Sequence, residues 1–270
     1  MGASTCACYK HAMTEGAIRL SIFLGVLILM GALETLFPAR DRLQKRSSRW
    51  VTNLGLVIID TLTIRLLFPV IAVGAALWAQ VQGWGVLNLI SLPSWAAILI
   101  AVIILDMMIY WQHVAFHKIP VLWRLHKVHH ADRDLDASSG LRFHPVEIII
   151  SMVYKMGIVV LLGAPVLAVI IFEILLNACA IFNHANVRLP NWIERPLRQI
   201  MVTPKLHRIH HSVIERETNT NYGFSVIWWD KIFRSYTDTP DGELTLGLNE
   251  YQTDAPSSLW WSLVAPFKRN

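Results

Sequence analysis

Charge is scarce in this chain. Only 16% of its residues are Asp, Glu, Lys or Arg, against about 25% in an average soluble domain, too few to coat a soluble globule of this size. Cysteine is scarcer still. Cys6, Cys8 and Cys179 form an odd, sparse set that excludes a disulfide framework. Cys6 and Cys8 make a C-x-C pair, but they precede Met13, a candidate start, in a stretch without structural pattern that reads as a tail. Glycine-rich dinucleotide loops and a C-x-x-C-H haem attachment are absent, as is the H-E-x-x-H pair of a zinc protease. There is no repeat of domain size and no low-complexity segment.

Apolar residues are plentiful instead, at 54%, with 11 tryptophans, the residue enriched where a bilayer meets water. They fall in four runs: 17–37, 51–79, 95–111 and 146–182. About 20 helical residues cross the hydrocarbon core, so each of the first three suits one crossing. The fourth is too long for one, and Gly163-Ala164-Pro165 interrupts it. Proline ends or kinks a helix, so the run predicts a hairpin of two short helices that return to the side they left. Asp60, Arg65, Lys155 and Glu173 lie inside the runs and read as packing pairs facing the protein interior.

Arg40, Arg42, Lys45, Arg46 and Arg49 separate the first two runs. Basic loops stay inside, which places this loop, and everything polar after Trp111, in the cytoplasm. The formal charge of +5 and pI of about 9.2 fit anionic lipid head groups; nucleic acid is not an expected partner. The predicted fold is all-α: an integral membrane helical bundle of three spanning helices plus a helical hairpin, with a cytoplasmic histidine-rich metal-binding cap. Its parts are N-terminal membrane helices at 1–94, a histidine-bearing domain at 95–240 and a tail at 241–270.

Ten of the eleven histidines lie between residues 113 and 211. His113 and His117 are spaced i, i+4. His126, His129 and His130 are spaced i, i+3, i+4, and His207, His210 and His211 repeat that spacing. On a helix such sets share one face, so each cluster aims its imidazoles at a common region. Neutral imidazole is the commonest protein ligand for transition metals. Eight clustered imidazoles exceed what one ion uses and fit two. His144 and His184 stand alone between the clusters as ligands or as supports behind them. Asp106 and Asp230 are candidates to orient imidazoles from behind, and Trp228-Trp229 reads as an interface anchor.

H-x3-H, H-x2-HH and H-x2-HH, with an apolar hairpin between the two triplets, resemble the fatty acid hydroxylase / sterol desaturase superfamily. Asp106-Met-Met-Ile-Tyr110-Trp111-Gln-His113, Arg142-Phe-His144-Pro145, Asn183-His184-Ala-Asn186, Asn221-Tyr222-Gly223 and Trp228-Trp229-Asp230-Lys-Ile-Phe233 fit its bacterial members. The resemblance covers about residues 95–240. It implies two iron ions, O2 as co-substrate, and hydroxylation or desaturation of a membrane lipid such as a sterol or fatty acyl chain. The implied ligands are His113, His117, His126, His129, His130, His144, His184, His207, His210 and His211, with no catalytic residue beyond them. Electrons must come from an external ferredoxin- or cytochrome-type donor. Some members place an H-x3-H pair before the last triplet, where only His184 stands here. The competing reading is a multi-histidine membrane metal transporter or metal-binding protein. A transporter places its ligands at mid-membrane, whereas the triplets here lie in polar segments outside the apolar runs.

Overall fold

The computed structural model describes the backbone of residues 2–268 and the side chains of residues 15–268. Cys6, Cys8, His11 and Met13 lie outside the described side chains. Among the described residues the chain is all-helical: α1 (Gly2–Leu36), α2 (Arg46–Leu67), α3 (Ala72–Gln82), α4 (Ser94–Lys118), α5 (Pro120–His130), α6 (Pro145–Leu162), α7 (Val166–His184), α8 (Asn191–Leu197), α9 (Pro204–His210), α10 (Glu215–Thr218), α11 (Trp228–Ile232) and α12 (Leu259–Val264). Among the described residues five segments are long and apolar enough to cross a membrane: Glu15–Leu36, Arg46–Asn88, Ser94–Lys118, Pro145–Leu162 and Val166–His184. These segments carry exposed Ile28, Val51, Leu66, Leu99 and Leu161, apolar surface of the kind a lipid phase covers.

The hairpin forms where the sequence places it. Gly163 closes α6 at φ 66° and Pro165 caps α7. Its arms are not short, however. At 18 and 19 residues each is about 27 Å long, close to the hydrocarbon thickness. The second apolar run is not one helix. Pro69 has no N–H to donate and pushes Phe68 into extended geometry, so α2 stops and α3 starts anew. Gly83, at φ 67°, then ends α3.

Two glycines pin the far end of the bundle. Gly85 has φ 97° and Gly163 has φ 66°, and a Cβ on Gly85 would lie 2.1 Å from the Gly163 nitrogen. Gly163→Ala should therefore cost about 1–3 kcal/mol, read as a lower unfolding temperature in micelles. Small residues let α3, α4, α6 and α7 approach closely around Leu105, Ile109 and Phe172: Ala72, Ala75, Ala76, Ala101 and Ala168 are all buried there.

A polar cap sits where α4, α5 and α7 end. Arg49 of α2 reaches into it and binds Asp132 (2.7 Å), Asp136 (2.6 Å) and the Ser139 hydroxyl (3.0 Å), all buried. Arg142 donates to the Val128 carbonyl, to Asn53 and to Ser262. The loop 131–142 is thus clamped between α2 and the C-terminal segment. Asp60 and Arg65 do not form the packing pairs expected of them. Lys155 and Glu173 do, at 2.7 Å, and Arg19 joins the same carboxylate.

Candidate metal centre

Proline sets up each histidine element. Pro120 and Pro204 occupy the first turns of α5 and α9, where no backbone N–H is required. Ile119 is extended ahead of Pro120, so α5 folds back on α4. The His117 and His130 rings then come to 4.7 Å, and those of His113 and His126 to 5.0 Å.

Nine imidazoles converge in two groups. His113, His117, His126, His130 and His210 form one; His129, His184, His207 and His211 form the other. Within each, one ligand nitrogen per ring lies within 4.8 Å of all the rest. Each triplet serves both groups. This differs from the single common region that the spacing of each triplet suggests: i and i+4 lie closest on a helix and neighbours about 100° apart, so His126 and His130 enter one group and His129 the other. In the second triplet His207 and His211 pair, and His210 crosses over. His130 and His211 stack across the boundary, with centroids 4.3 Å apart and rings 17° from parallel.

Backbone carbonyls decide which ring nitrogens carry protons. His113 Nδ1 lies 2.7 Å from the Tyr222 carbonyl and His210 Nδ1 lies 2.7 Å from that of Thr220. In the second group, His129 Nδ1 faces the Arg142 carbonyl (3.2 Å) and His184 Nδ1 that of Ala180 (2.7 Å). A carbonyl only accepts, so in a neutral ring the proton sits on Nδ1 and Nε2 is a bare lone pair. Yet His113 Nε2 and His210 Nε2 are 3.2 Å apart, and His129 Nε2 and His184 Nε2 are 3.0 Å apart. Lone pairs at that range repel unless a cation lies between them. Nitrogens about 2.1 Å from one ion and at right angles stand about 3.0 Å apart. His117 Nε2, both ring nitrogens of His130 and of His211, and His207 Nδ1 are buried without hydrogen-bond partners, which is costly for polar atoms. The donor set fits two metal ions, one per group.

Burial keeps these rings neutral. It holds His126 at about 3. Burial first, then neighbouring imidazoles, hold His129, His130, His207, His210 and His211 well below the usual value. Released or unfolded histidines protonate near pH 6.5 and the folded ones do so only far below. Stability and metal retention are therefore full above about pH 6.5 and should be lost as pH falls from there towards 3, measured as bound metal after dialysis at stepped pH.

The loop 220–223 turns two carbonyls onto the rings. Asn221 takes the left-handed conformation, φ 50°, and its side-chain amide bonds the Leu206 and Thr237 carbonyls. Asp230 accepts the N–H groups of Tyr222 (2.7 Å) and Gly223 (2.8 Å). Asp230 thus touches no imidazole; it holds the loop whose carbonyls do. Asp106 accepts from the Trp229 indole at 2.8 Å and braces α4 against α11. Both carboxylates act one step further from the rings than the sequence suggests. Trp229 is a buried brace rather than an interface anchor, while Trp228 is exposed.

His144 stands outside both groups, contrary to the ligand set that includes it. Its Nδ1 caps α6 by accepting the Val146 N–H (3.1 Å), so its Nε2 bears the proton and donates to the Leu263 carbonyl (3.1 Å). Both nitrogens are spent. Glu147, three positions after Phe143-His144 begins to turn the chain, is the support that spacing analysis misses. Its Oε1 is 2.7 Å from His126 Nδ1, the carboxylate–histidine pairing that orients a metal ligand. A lone Glu in the first turn of an apolar helix is its one sequence signal. Glu147→Ala should weaken metal binding roughly 10- to 100-fold, measured by chelator competition.

A cavity of about 520 Å³ opens on the five-histidine group at His113 and His126, walled by Ile109, Phe116, Phe143, Leu176 and Phe224. Phe143 also stacks on His129, with centroids 4.7 Å apart and rings 8° from parallel.

A fatty acid hydroxylase family model matches residues 98–235. The ornithine lipid hydroxylase OlsE of Rhizobium tropici is 29% identical over 148 residues, 55% of this chain and 44% of that protein. The alkylglycerol monooxygenase of Homo sapiens is 28% identical over 158 residues, 57% of this chain and 34% of that protein. The Delta(7)-sterol-C5(6)-desaturase of Nicotiana tabacum is 31% identical over 165 residues, 58% of this chain and 52% of that protein. The chain thus spans about a third to a half of the length of these relatives. No solved structure matches it. The matched stretch holds all nine converging histidines, and the chain belongs to the fatty acid hydroxylase family.

Proposed function

We propose that this protein is a multi-pass membrane oxidoreductase that hydroxylates, or desaturates, a membrane lipid with O2. The observation that carries the reading is the pairing of two half-sites, of five and four histidines, with an apolar cavity that ends at His113 and His126. His113, His117, His126, His130 and His210 would hold one iron ion and His129, His184, His207 and His211 a second, and the pair would supply the activation of O2.

The chain's own part is placement. Phe116, Phe143 and Phe224 wall the cavity and keep water from a lipid chain lying against the five-histidine group. The Tyr222, Thr220, Ala180 and Arg142 carbonyls keep the protons on Nδ1 and the lone pairs on Nε2. Glu147 does the same for His126. Electrons come from a separate ferredoxin- or cytochrome-type donor. The positive-inside pattern around Arg40 and Lys45 supports a cytoplasmic metal face.

The test is lipid mass spectrometry on cells with and without the protein, alongside iron analysis of the purified chain. A lipid heavier by one oxygen, or lighter by two hydrogens, with two irons per chain supports the reading. An unchanged lipid profile, or exchangeable metal taken up across vesicles, would favour transport instead.

A further inference from the structure

The two sides of the five-histidine group differ in how easily their rings are oxidised. Apart from His113 and His126, the aromatic side chains on the cavity wall are all phenylalanines: Phe23, Phe116, Phe143 and Phe224. Phenylalanine resists one-electron oxidation. Behind the same group stands Tyr222, its ring centroid 5.6 Å from that of His113, 5.1 Å from His117 and 5.7 Å from His210. Tyr110 meets Tyr222 edge-on at 6.1 Å, and Trp111 meets Tyr110 at 5.5 Å. Tyr110 is 2% exposed and Trp111 is 42% exposed. Three readily oxidised rings thus lead from the metal ligands to the surface of α4, and none of them lines the cavity.

Hydrogen bonds single out Tyr110 among the three. Ser235 donates its one hydroxyl proton to Asp230 at 2.6 Å, so at 2.8 Å it accepts from the Tyr110 phenol. Tyr110 therefore heads a proton path that ends on a carboxylate. Burial lifts that carboxyl to about 6, so it accepts a proton more readily than an exposed one. Tyr222 has no such path. Its hydroxyl donates to the Asn219 amide oxygen at 2.9 Å, which also accepts from the Lys118 ammonium. An amide takes no proton near neutral pH, and the nearby cation opposes loss of an electron. A tyrosine gives up an electron readily only when its proton can leave too. A brace between α4 and α11 needs none of this, and Asp106 with Trp229 already supplies one.

We propose that Tyr110 is a redox residue that protects the metal ligands. When O2 has oxidised the centre and no lipid fills the cavity, Tyr110 passes one electron through Tyr222 to the five-histidine metal. Its phenolic O–H bond breaks, the proton moves to Ser235 as the Ser235 proton moves to Asp230, and a neutral tyrosyl radical remains. One electron from an external reductant such as ascorbate, entering at Trp111, restores the phenol as the protons return. This role rests on the lipid oxygenase reading above and gives the oxidising equivalent a second outlet.

Electron paramagnetic resonance on the full-length protein in nanodiscs tests it in two forms. The iron form is exposed to O2 without lipid substrate and frozen. The zinc form, whose metal has no redox chemistry, is oxidised by flash-generated tris(bipyridine)ruthenium(III). Both should give a tyrosyl radical, assigned with ring-deuterated tyrosine. Tyr110→Phe should abolish it in the iron form and remove most of it in the zinc form, with metal content unchanged. The same variant should raise oxidation of His113, His117 and His210 several-fold in peptide mass spectra of the iron form. Ser235→Ala keeps the phenol but removes the proton acceptor, and should lower the radical yield several-fold; a purely structural tyrosine would not register that change. Ascorbate should quench the radical more slowly in Trp111→Phe.

A radical of wild-type yield in Tyr110→Phe or in Ser235→Ala overturns the proposal. So does a tryptophanyl radical lost in Trp123→Phe, since Trp123 also packs on His117, at 5.0 Å. Unchanged quenching in Trp111→Phe overturns the surface entry. Should Tyr110→Phe fail to fold, Ser235→Ala decides alone. No radical in either form of a protein that oxidises lipid sinks the role of Tyr110 only. A radical by flash but none from O2, with no lipid oxidised, sinks the oxygenase reading and leaves the relay standing.

Discussion

His129→Ala should reduce bound iron from two ions per chain to one and lower lipid oxidation by well over the 10- to 100-fold that loss of an outer support costs. His129 is one of only four rings in its group, its Nε2 faces that of His184 at 3.0 Å, and its Nδ1 is already spent on a carbonyl. Among the described residues no other imidazole is free to replace it. His144→Ala should keep both ions, because neither of its nitrogens reaches a group. The pair of variants, assayed by metal analysis and product mass, separates a ligand from a helix cap with the same side chain. Two ions retained in His129→Ala would remove the four-histidine group from the account.

The second large effect belongs to Arg49. Arg49→Leu should destabilise the protein by about 3–5 kcal/mol, since removing one partner of a buried ion pair leaves uncompensated charge. Burial alone would raise the Asp132 carboxyl, but the Arg49 guanidinium overrides it and holds Asp132 at about 2. That stabilisation is complete above about pH 4 and is lost as pH falls towards 2. The damage should also reach the metals. The loop that Arg49 clamps ends at Arg142, whose carbonyl orients His129. Combining Arg49→Leu with Asp132→Asn and Asp136→Asn should recover part of the stability, read as denaturation midpoints in detergent. A wild-type midpoint for Arg49→Leu alone would refute the clamp.

Helical spacing made the three histidine clusters and the Gly163-Pro165 break readable from the chain alone, because both depend on local geometry. An i, i+4 pair shares a face wherever the helix lies, and a proline interrupts any helix. The same local reasoning overreached at His144, where the ring caps its own helix instead of reaching a metal, and it left unread the break at Pro69 that divides residues 51–79 between α2 and α3.

What tertiary structure decided is everything that needs a partner far along the chain. It sorted His210 away from its neighbours His207 and His211. It gave Glu147 to His126 and moved Asp106 and Asp230 back from the rings. It also left Asp60 unpaired at a cavity wall. The carbonyls that set the imidazole protons carry no letter of their own, since every residue has one; only the packed backbone determines which of them point at a ring. Residue type and spacing thus specified the chemistry available, and long-range packing specified where each lone pair is aimed.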